Sequence, residues 1–335
     1  MPPDPPDSEE LVLSFLAEAG DEFVSGEAIS DKLGLSRAAV WKHVNALRTK
    51  GYRVDAVPAR GYRLVAIPDR LTGLELRPLL GTHDLGQTLH AFEELGSTSD
   101  HAKALAEDGA AHGEVVVAER QTAGRGRRGR SWVSPPGMNV SFSVVLRPEL
   151  PPARAPELTL VASVAICDAL RHAGVPGAGI KWPNDLLVGG RKIAGILTEL
   201  AAEPDRVQWV VLGVGVNVNA RTEDFPPELR DEATSVRVER GEPAPRALFL
   251  AACLGSLEEW LDRHAEDGFA AVREAWKARS VTLGQEVVVK AEGRELTGVA
   301  EDVDESGALL VRCGGRLERI LAGDVLLLRG KDGKR

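Results

Sequence analysis

The chain has 335 residues, a length that favours two or three domains over a single core. With 43% apolar and 27% charged residues, its composition is typical of a soluble globular protein and excludes extensive disorder. The formal net charge of −9 excludes a protein that coats nucleic acid over its whole surface, and no apolar run is long enough to cross a bilayer.

The first segment, residues 1–66, begins with MPPDPPDSEE, which is acidic and proline-rich where a secretory signal peptide is basic and apolar. Potential helix caps at Ser8, Ser25 and Ser36 predict three short helices, of which the last two are joined by Gly34-Leu35. That order is typical of a helix-turn-helix. The stretch YRVDAVPARGYRLV alternates apolar and polar residues around PARG, which predicts a hairpin with a basic tip, a wing.

Basic residues are concentrated in this first segment. Between Ser36 and Leu64 there are seven lysines and arginines and a single acid, Asp55. On the third helix the polar side chains avoid the apolar stripe, and residues of their types suit phosphates and base edges. The alternative is a solvated basic helix on an ordinary helical domain. Turn, helix, wing and charge together favour a winged helix-turn-helix that binds DNA through Ser36, Arg37, Lys42, His43, Asn45, Arg48 and Arg60.

The second segment, residues 70–278, mixes strand and helix patterns. A helix is predicted around 157–172, and Leu250, Leu254, Leu257 and Leu261 fall in helical phase near the end of the segment. Gly189-Gly190, between two apolar runs, predicts a hairpin turn. Strands joined by hairpins, with helices between others, favour an α+β domain with a mixed or antiparallel sheet. The predicted strands lie at 115–118, 140–146, 192–200 and 210–218.

The third segment, residues 281–329, consists of short apolar runs separated by turns. The turns are expected at Glu292-Gly293, Ser306-Gly307 and Gly314-Gly315, and the alternation resumes after each one. This pattern predicts a small β-barrel. Its function is not visible from the pattern.

Residues 124–132, GRGRRGRSW, match two phosphate-binding templates, the dinucleotide fingerprint and, with one Lys→Arg change, the P-loop. Both templates must open a helix, but SWVSPPG follows, and two prolines with a glycine exclude a first helical turn. Four arginines among three glycines instead predict a mobile loop that an anion would order, with Trp132 offering a flat face to a ring. The alternative is a disordered basic loop without a ligand.

Residues 181–185, KWPND, form a second group of polar residues, at the end of a predicted strand. Lys192 lies beyond the Gly189-Gly190 turn, so the predicted hairpin would bring it close to Asp185. The two side chains could form part of a site or simply an ion pair across the hairpin.

Other kinds of chemistry are not indicated. The sequence has no Ser/His/Asp set, no HExxH motif and no clustered cysteines and histidines, so neither covalent catalysis nor a zinc site is expected. Its three cysteines are odd in number, far apart and in apolar surroundings. They favour a reducing compartment over a disulfide framework, and we expect a cytoplasmic protein.

Four motifs in this order and spacing, GRGRRGRSW, IKWPNDLLV, GRKIAGILTEL and GVGVNVN, resemble those of the biotin–protein ligases. With SGEAISDKLGLSRAAVWKHVNALRTKGY and the wing before them, the chain is similar to the bifunctional ligases that also repress the biotin operon, over residues 8–329. The resemblance implies an SH3-like C-terminal barrel. It also implies two reactions: biotin and Mg²⁺-ATP give biotinyl-5′-AMP and pyrophosphate, and a lysine of the biotin carboxyl carrier protein then takes biotin and releases AMP.

The resemblance also implies roles for individual residues. Lys192, Arg127 and Asp185 would be catalytic, with Asp185 orienting or deprotonating the acceptor lysine and Lys192 most important for the first step. No protein side chain would hold a metal, since Mg²⁺ comes with ATP. Biotin and its acyl phosphate would be bound by Ser97, Thr98, Ser99, Gln121, Arg125, Gly126, Arg127 and Lys192. The nucleotide would contact Arg127, Arg130, Trp132, Asn184, Asn217 and Arg329.

One departure from the family pattern is Ser99, which stands where similar proteins have Asn. Serine still donates and accepts a hydrogen bond but is shorter than asparagine, so one of the expected biotin contacts would differ from that of the family. The expected partners are the biotin carboxyl carrier protein of acetyl-CoA carboxylase and operator DNA. The resemblance further implies that biotinyl-AMP orders the arginine-rich loop beside the surface of a homodimer, and that the dimer places two winged modules on a palindromic operator.

Three alternatives remain at this point. The first is an acyl ligase of the lipoate or octanoate type, although such enzymes are not expected to carry GRGRRGR together with KWPND. The second is a ligand-sensing repressor without catalysis, against which Lys192, Asp185 and the complete loop argue. The third is a biotin ligase whose winged domain no longer represses.

Overall fold

A computed structural model describes residues 8–291 and 293–328. The chain divides into two compact units between Leu79 and Leu80. No helix within the described residues is long and apolar enough to span a membrane. The three cysteines are free; Cys167 and Cys253 are buried and Cys313 is partly exposed.

The first unit is a winged helix-turn-helix, as predicted. Its helices pack through Val12, Leu16, Ile29, Val44 and other residues that are almost completely buried. The predicted caps of the second and third helices are confirmed, because Ser25 accepts from the Ala28 amide and Ser36 from the Ala39 amide. The elements are α1 Ser8–Glu18, α2 Gly26–Leu33, α3 Arg37–Thr49, β1 Arg53–Val57, β2 Gly61–Ala66 and α4 Gly73–Leu76.

The wing depends on one glycine. Gly61 has φ +106°, and a Cβ at this position would overlap the Val24 carbonyl oxygen. That close approach lets Val24 and Tyr62 exchange two backbone hydrogen bonds of 2.8 Å each. The hairpin of β1 and β2 is therefore joined to the segment that precedes α2.

The second unit contains a seven-stranded sheet of order β3-β4-β5-β9-β8-β7-β6, in which β3 and β4 are parallel and the other neighbours antiparallel. The predicted α+β domain with a mixed sheet is thereby confirmed. Its elements are β3 Leu89–Leu95, α5 Thr98–Glu107, β4 Val115–Gln121, β5 Asn139–Leu146, α6 Pro156–His172, β6 Gly179–Lys181, β7 Asp185–Val188, β8 Arg191–Ala202, β9 Val207–Asn217, α7 Val236–Arg240, α8 Arg246–Asp267 and α9 Phe269–Arg279.

The two faces of this sheet carry different helices. Ala102 and Ala106 of α5 pack with Val145 and Val211 on one face, and the largely buried α6 packs on the strands together with α8 and α9. Side chains alternate along a strand, so the residues of β9 in phase with Val211 also face α5, including Gly213 and Gly215. The glycines thus leave an open stretch of sheet beside the start of α5.

The end of the chain forms a five-stranded antiparallel sheet of order β13-β12-β11-β10-β14, here called the C-terminal sheet. The predicted turns at Ser306-Gly307 and Gly314-Gly315 are confirmed, while Glu292 and Arg329 lie outside the described residues. The strands are β10 Glu286–Ala291, β11 Arg294–Val303, β12 Leu309–Cys313, β13 Arg316–Ile320 and β14 Asp324–Leu327.

Candidate functional site

A cleft of about 50 Å³ lies on the α5 side of the large sheet. Its base is formed by Gly195, Gly213 and Gly215, here called the glycine floor. A Cβ on Gly213 would overlap Ser99 Oγ, and one on Gly215 would overlap the Trp132 indole. Only glycine lets these side chains lie directly against the strands. Nine of the predicted site residues line the same cleft: Thr98, Ser99, Gln121, Arg125, Gly126, Arg127, Trp132, Asn184 and Lys192.

The start of α5 forms one wall of the cleft. Ser97 caps the helix by accepting from the Asp100 amide at 3.4 Å, so its hydroxyl serves the backbone. Gln121 Oε1 accepts from the Thr98 amide at 2.8 Å and from the Thr98 hydroxyl at 3.1 Å. Ser143 Oγ lies 3.1 Å from Ser99 Oγ and 2.9 Å from Thr98 Oγ1. The wall is a connected set of short polar side chains that is nearly buried.

The stretch 124–132, here called the arginine loop, covers the cleft. The prediction that neither helix template applies is confirmed, because only a short 3-10 turn at Arg127–Gly129 occurs and β5 begins at Asn139. The loop closes on itself through hydrogen bonds from the Trp132 amide to Gly124 O at 2.8 Å and from the Gly126 amide to Arg130 O at 2.6 Å.

The four arginines of the loop all have partners. Arg125 Nη2 lies 2.7 Å from both Asp100 Oδ1 and Glu199 Oε2. The half-buried Arg127 donates to Asn184 Oδ1 at 3.1 Å and to the carbonyl of Gly323 at 3.3 Å, and burial lowers its pKa. Mobility of the empty loop was expected from repulsion among its arginines. The structure offsets that repulsion with carboxylates, which come from parts of the chain remote in sequence.

The C-terminal sheet supplies one of those carboxylates. Asp324 Oδ2 accepts from Arg130 at 2.8 Å and lies 3.2 Å from Arg128 Nη1. Arg128 has φ +56°, a left-handed conformation that is uncommon outside glycine. Asp324 was not predicted as a site residue, because its separation from the loop of 194 to 196 residues leaves no local signal.

The KWPND stretch joins the cleft to the C-terminal sheet. The buried Trp182 donates its amide to Thr282 Oγ1 at 2.9 Å and its indole N–H to Gly307 O at 3.1 Å. Asn184 and Ile196 exchange hydrogen bonds of 2.8 and 3.0 Å, which fix the asparagine beside β8.

The predicted proximity of Lys192 and Asp185 is confirmed. Lys192 Nζ lies 2.6 Å from Asp185 Oδ1 and 5.8 Å from the centroid of the Trp132 ring. Burial lowers the pKa of the nearby Lys181, and the charges of Lys192 and Arg130 act in the same direction against that of Asp185. The cleft is therefore rich in positive charge, as binding of an anion requires.

Trp132 lies across the glycine floor. Its Nε1 atom is buried without a hydrogen-bond partner in the described part of the chain. An indole N–H that is buried and unsatisfied costs free energy, so a ligand acceptor or a shift of the ring would be favoured. The ring also occupies space in the small cleft.

Asn217, like Asn184, has a side-chain amide that is hydrogen-bonded within the protein through both its nitrogen and its oxygen. Its Nδ2 donates to Thr234 O at 3.0 Å, and its Oδ1 accepts from Asn139 at 3.3 Å. Behind this pair, the buried Arg246 binds the Asn139 carbonyl at 3.3 Å and Glu119 at 2.7 Å. Asn217 is thus held firmly at the end of β9.

The predicted DNA-binding residues do not share one environment. Lys42 is exposed on α3, whereas Arg37 pairs with Glu27 at 2.8 Å. Arg60, at the tip of the wing, has its guanidinium 4.3 Å from the centroid of the Phe23 ring. Ser36 caps α3 as described, and His43 and Asn45 are partly exposed.

Arg48 is exposed as predicted, and its guanidinium also contacts the backbone. Its Nε and Nη2 donate to the Val54 carbonyl at 3.0 and 2.6 Å, so it joins α3 to the wing. Trp41, which the sequence analysis passed over, is 60% exposed on the same helix. Because Trp41 falls outside the apolar stripe of Val40 and Val44, the sequence already indicated that its side chain would be exposed.

No group of three or more histidine, cysteine, aspartate or glutamate side chains suited to a metal ion occurs among residues 8–291 and 293–328. The charged side chains that line the cleft, Arg125, Arg127 and Lys192, are instead all basic.

Comparisons with known proteins cover all three segments. The model of the biotin/lipoate A/B protein ligase family matches residues 92–217, a helix-turn-helix model matches residues 9–63, and the model of the biotin protein ligase C-terminal domain matches residues 282–328. In solved structures, the chain resembles the biotin protein ligase of Aquifex aeolicus in complex with biotin and ATP. The TM-score is 0.63 at 30% identity, over 72% of this chain and 99% of that one.

Two relatives carry the name bifunctional ligase/repressor BirA. The Bacillus subtilis protein is 40% identical over 94% of this chain and 97% of its own length. The Escherichia coli protein is 32% identical over 92% of this chain and 94% of its own length. The family resemblance of the four motifs is confirmed, and the chain belongs to the family of bifunctional biotin–protein ligases and repressors.

Proposed function

We propose that this protein activates biotin with ATP and transfers it to a lysine of the biotin carboxyl carrier protein, and that its ligand-bound form represses transcription. The observation that carries the catalytic half is the position of Lys192 and Asp185, paired at 2.6 Å beside a floor of glycines and below a loop of arginines. One residue suits a reaction between anions and the other suits an attacking amine.

Biotin would lie against the wall formed by Ser97, Thr98, Ser99 and Gln121, at the Gly213 side of the glycine floor, while Trp132 stays over Gly215. The wall offers hydroxyl and amide groups that can both donate and accept, as a ureido ring requires. Ser99 is shorter than the asparagine of similar proteins, and its hydroxyl lies 3.1 Å from Ser143 Oγ. Arg125 and Gly126 would contribute chiefly through the backbone, because the Arg125 guanidinium is held by Asp100 and Glu199.

In the first step an oxygen of the biotin carboxylate attacks the α-phosphorus of ATP. The new O–P bond forms as the bond to pyrophosphate breaks, and biotinyl-5′-AMP and pyrophosphate are the products. Bringing two anions together needs fixed cations, and Lys192, Arg127 and Arg130 are the candidates at the cleft. Mg²⁺ would arrive with ATP and would supply further charge on the phosphates.

Trp132 would flank the adenine, and Asn184 and Asn217 would contact the nucleotide. The buried, unbonded Nε1 of Trp132 supports a role in ligand binding, while the internal hydrogen bonds of Asn217 favour a role in shaping the pocket. Arg329 would also reach the nucleotide, although it lies outside the described residues.

In the second step the acceptor lysine attacks the acyl carbon of the mixed anhydride. A C–N bond forms, the bond from the acyl carbon to the phosphate oxygen breaks, and AMP leaves. The attacking amine must be neutral, and Asp185 would accept its proton or orient it. Lys192 would stabilise the negative charge that develops on the departing phosphate.

The regulatory half rests on the winged unit. A homodimer formed when biotinyl-AMP is bound would place two such units on palindromic operator DNA, with Lys42, Asn45 and Arg60 among the contacts. We place the protein in the cytoplasm, which the free state of the cysteines supports.

The catalytic proposal is tested by mixing the protein with ATP and either biotin or lipoate, and then adding an acceptor domain. We expect ATP to release pyrophosphate when biotin is present but not when lipoate is present. We also expect biotin to become attached to a lysine of the acceptor domain. Adenylation of lipoate but not biotin would replace the proposed substrate. Absence of label on the acceptor domain, with no release of pyrophosphate, would favour a ligand-sensing repressor without catalysis. A gel-shift with DNA upstream of biotin-synthesis genes, with and without biotin and ATP, tests the repressor half.

A further inference from the structure

Trp41 is exposed on α3 and does not belong to the core of the winged unit. It is 60% exposed, whereas the other five tryptophans are buried or half-buried. The core of the winged unit is formed by Val40, Val44 and Leu47, which are completely buried on another side of the helix. An aromatic ring of this size loses favourable free energy when it faces water, so a partner that covers it would be stabilised.

The neighbours of Trp41 identify the kind of partner. Arg37 and Asn45 lie one turn before and one turn after it, and Lys42 lies beside it. Lys42 is exposed, and the wing contributes Arg60 at its tip. Protein interfaces are depleted in lysine at their centres, whereas a polyanion favours such a surface. The charge therefore favours nucleic acid as the covering molecule.

Duplex DNA offers one apolar feature in its major groove, the thymine C5-methyl group. A helix fits this groove, and α3 is the second helix of the helix-turn-helix, the one that normally enters it. Ala38, one turn before Trp41 on α3, is exposed and small, so it does not cover the indole.

We propose that Trp41 reads the operator by packing against thymine methyl groups in the major groove. This inference rests on the proposed DNA binding and adds a residue that determines specificity. Lys42 supplies attraction to phosphates that does not depend on sequence, and Trp41 supplies discrimination. Variants of the two residues should therefore differ in their effects on specific and non-specific DNA binding.

The test uses the full chain with biotin and ATP and a library of random-sequence duplexes. The wild-type protein first selects a preferred site, and binding to it is then compared with binding to random duplex for the wild type, Trp41→Ala and Lys42→Ala. Trp41→Ala is expected to lose about 10- to 100-fold in affinity for the selected site, with binding to random duplex and the salt dependence unchanged. Lys42→Ala is expected to weaken both and to reduce the salt slope by about 1.

A second readout deletes the methyl group itself. Uracil in place of thymine at the contacted positions is expected to weaken wild-type binding several-fold and to leave Trp41→Ala binding unchanged. Equal losses on selected and random DNA, or equal sensitivity of both proteins to uracil, would overturn the inference.

Failure of the proposed DNA binding can be distinguished from failure of the role of Trp41. If the wild type shows no binding that depends on biotin and ATP, both the repressor proposal and this inference fail. If the wild type selects a site and Trp41→Ala binds it equally well, only the role of Trp41 fails. Because Trp41 is exposed, its variant is expected to fold, and an unchanged circular dichroism spectrum together with unchanged binding to random duplex checks this.

Discussion

Lys192 Nζ lies 2.6 Å from Asp185 Oδ1 across the hairpin of β7 and β8. The pair is not a buried structural salt bridge, because the lysine side chain is 37% exposed and the aspartate 20%. An ion pair in contact with solvent adds little stability. The pair lies at the edge of the glycine floor, and Lys192 Nζ is 5.8 Å from the centroid of the Trp132 ring. This location favours a role in the reaction instead.

The pair predicts a separation of the two reaction steps. Lys192→Met is expected to slow formation of biotinyl-AMP by about 10²- to 10³-fold, because a fixed positive charge is lost where two anions meet. Asp185→Asn is expected to slow transfer to the acceptor lysine by about 10²-fold or more, with a smaller effect on adenylation. Single-turnover measurements of pyrophosphate release and of acceptor labelling report the two steps separately.

A matched control stands next to Lys192 in the chain. Arg191 pairs with Glu239 at 2.8 Å, outside the cleft, so Arg191→Met removes a neighbouring positive charge from the same strand. Both steps are expected to remain near wild-type rates in that variant. Equal slowing of both steps by Asp185→Asn would contradict the assignment of Asp185 to transfer.

The ion pairs of Asp324 with the arginine loop should determine what fraction of the loop is open. The Asp324 carboxylate pairs with Arg130 at 2.8 Å and with Arg128 at 3.2 Å, and both arginines are well exposed. Two such pairs together contribute about 1 kcal/mol, which corresponds to roughly a fivefold change in the fraction of open loop. Asp324→Asn is therefore expected to speed tryptic cleavage after Arg128 about fivefold in the absence of ligand.

The control for this prediction is in the same sheet. Glu301 binds Arg312 through both carboxylate oxygens, far from the loop in sequence, and Glu301→Gln removes an exposed pair of the same kind. Cleavage after Arg128 should not change in Glu301→Gln. Biotinyl-AMP should protect the loop in every variant, and unchanged cleavage in Asp324→Asn would show that the C-terminal sheet does not hold the loop.

The glycine floor predicts a steric effect on ligand binding. A Cβ on Gly215 would overlap the Trp132 indole, so Gly215→Ala should push the ring off the strand. We expect weaker binding of biotinyl-AMP by roughly 10-fold or more, measured by calorimetry, because Trp132 could no longer lie against the floor. Gly255→Ala is the control: Gly255 is in α8 with nothing within 4 Å of a Cβ, so this change should leave binding intact and raise helix stability. Unchanged binding in Gly215→Ala would argue against a close approach of Trp132 to the sheet in the bound state.

Much of the fold follows from short-range patterns. The caps at Ser25 and Ser36 and the Gly189-Gly190 turn each depend on a few adjacent residues, so local chemistry determines them. The Lys192–Asp185 pair was predictable for the same reason, since a single hairpin brings the two together.

The remaining features depend on contacts between distant parts of the chain. Asp324 meets the arginine loop across more than 190 residues, and Glu199 meets Arg125 across 74. No periodicity or turn signal encodes such a meeting. Arg48 shows a further limit, because neither its charge nor its helix position indicated that it would also donate to the Val54 carbonyl, six residues away.

Asp304 predicts how pH affects the link between the C-terminal sheet and KWPND. Its Oδ1 accepts from the amides of Ser306 and Ala308 at 2.9 and 3.0 Å, and its Oδ2 accepts from Arg319. The same turn presents the Gly307 carbonyl that the Trp182 indole contacts at 3.1 Å. Burial alone would raise the pKa of Asp304, but the hydrogen bonds from Arg319 and Ser306 outweigh it and lower the pKa from 3.8 to about 2.

Because the folded state has the lower pKa, the stabilising contribution of Asp304 is complete above the unfolded value and is lost as the pH falls through about 2. Screening by solvent reduces this contribution to about 1–2 kcal/mol. Asp304→Asn should therefore lower the free energy of unfolding by about that amount at pH 7, and its difference from the wild type should shrink from pH 4 downwards. NMR titration of the Asp304 carboxyl group gives its pKa directly, and urea unfolding at several pH values gives the difference. A double-mutant cycle with Arg319→Gln isolates the charged hydrogen bond. If the difference in unfolding free energy between Asp304→Asn and the wild type stayed constant from pH 7 to the acid limit, ionisation of Asp304 would be ruled out as its cause.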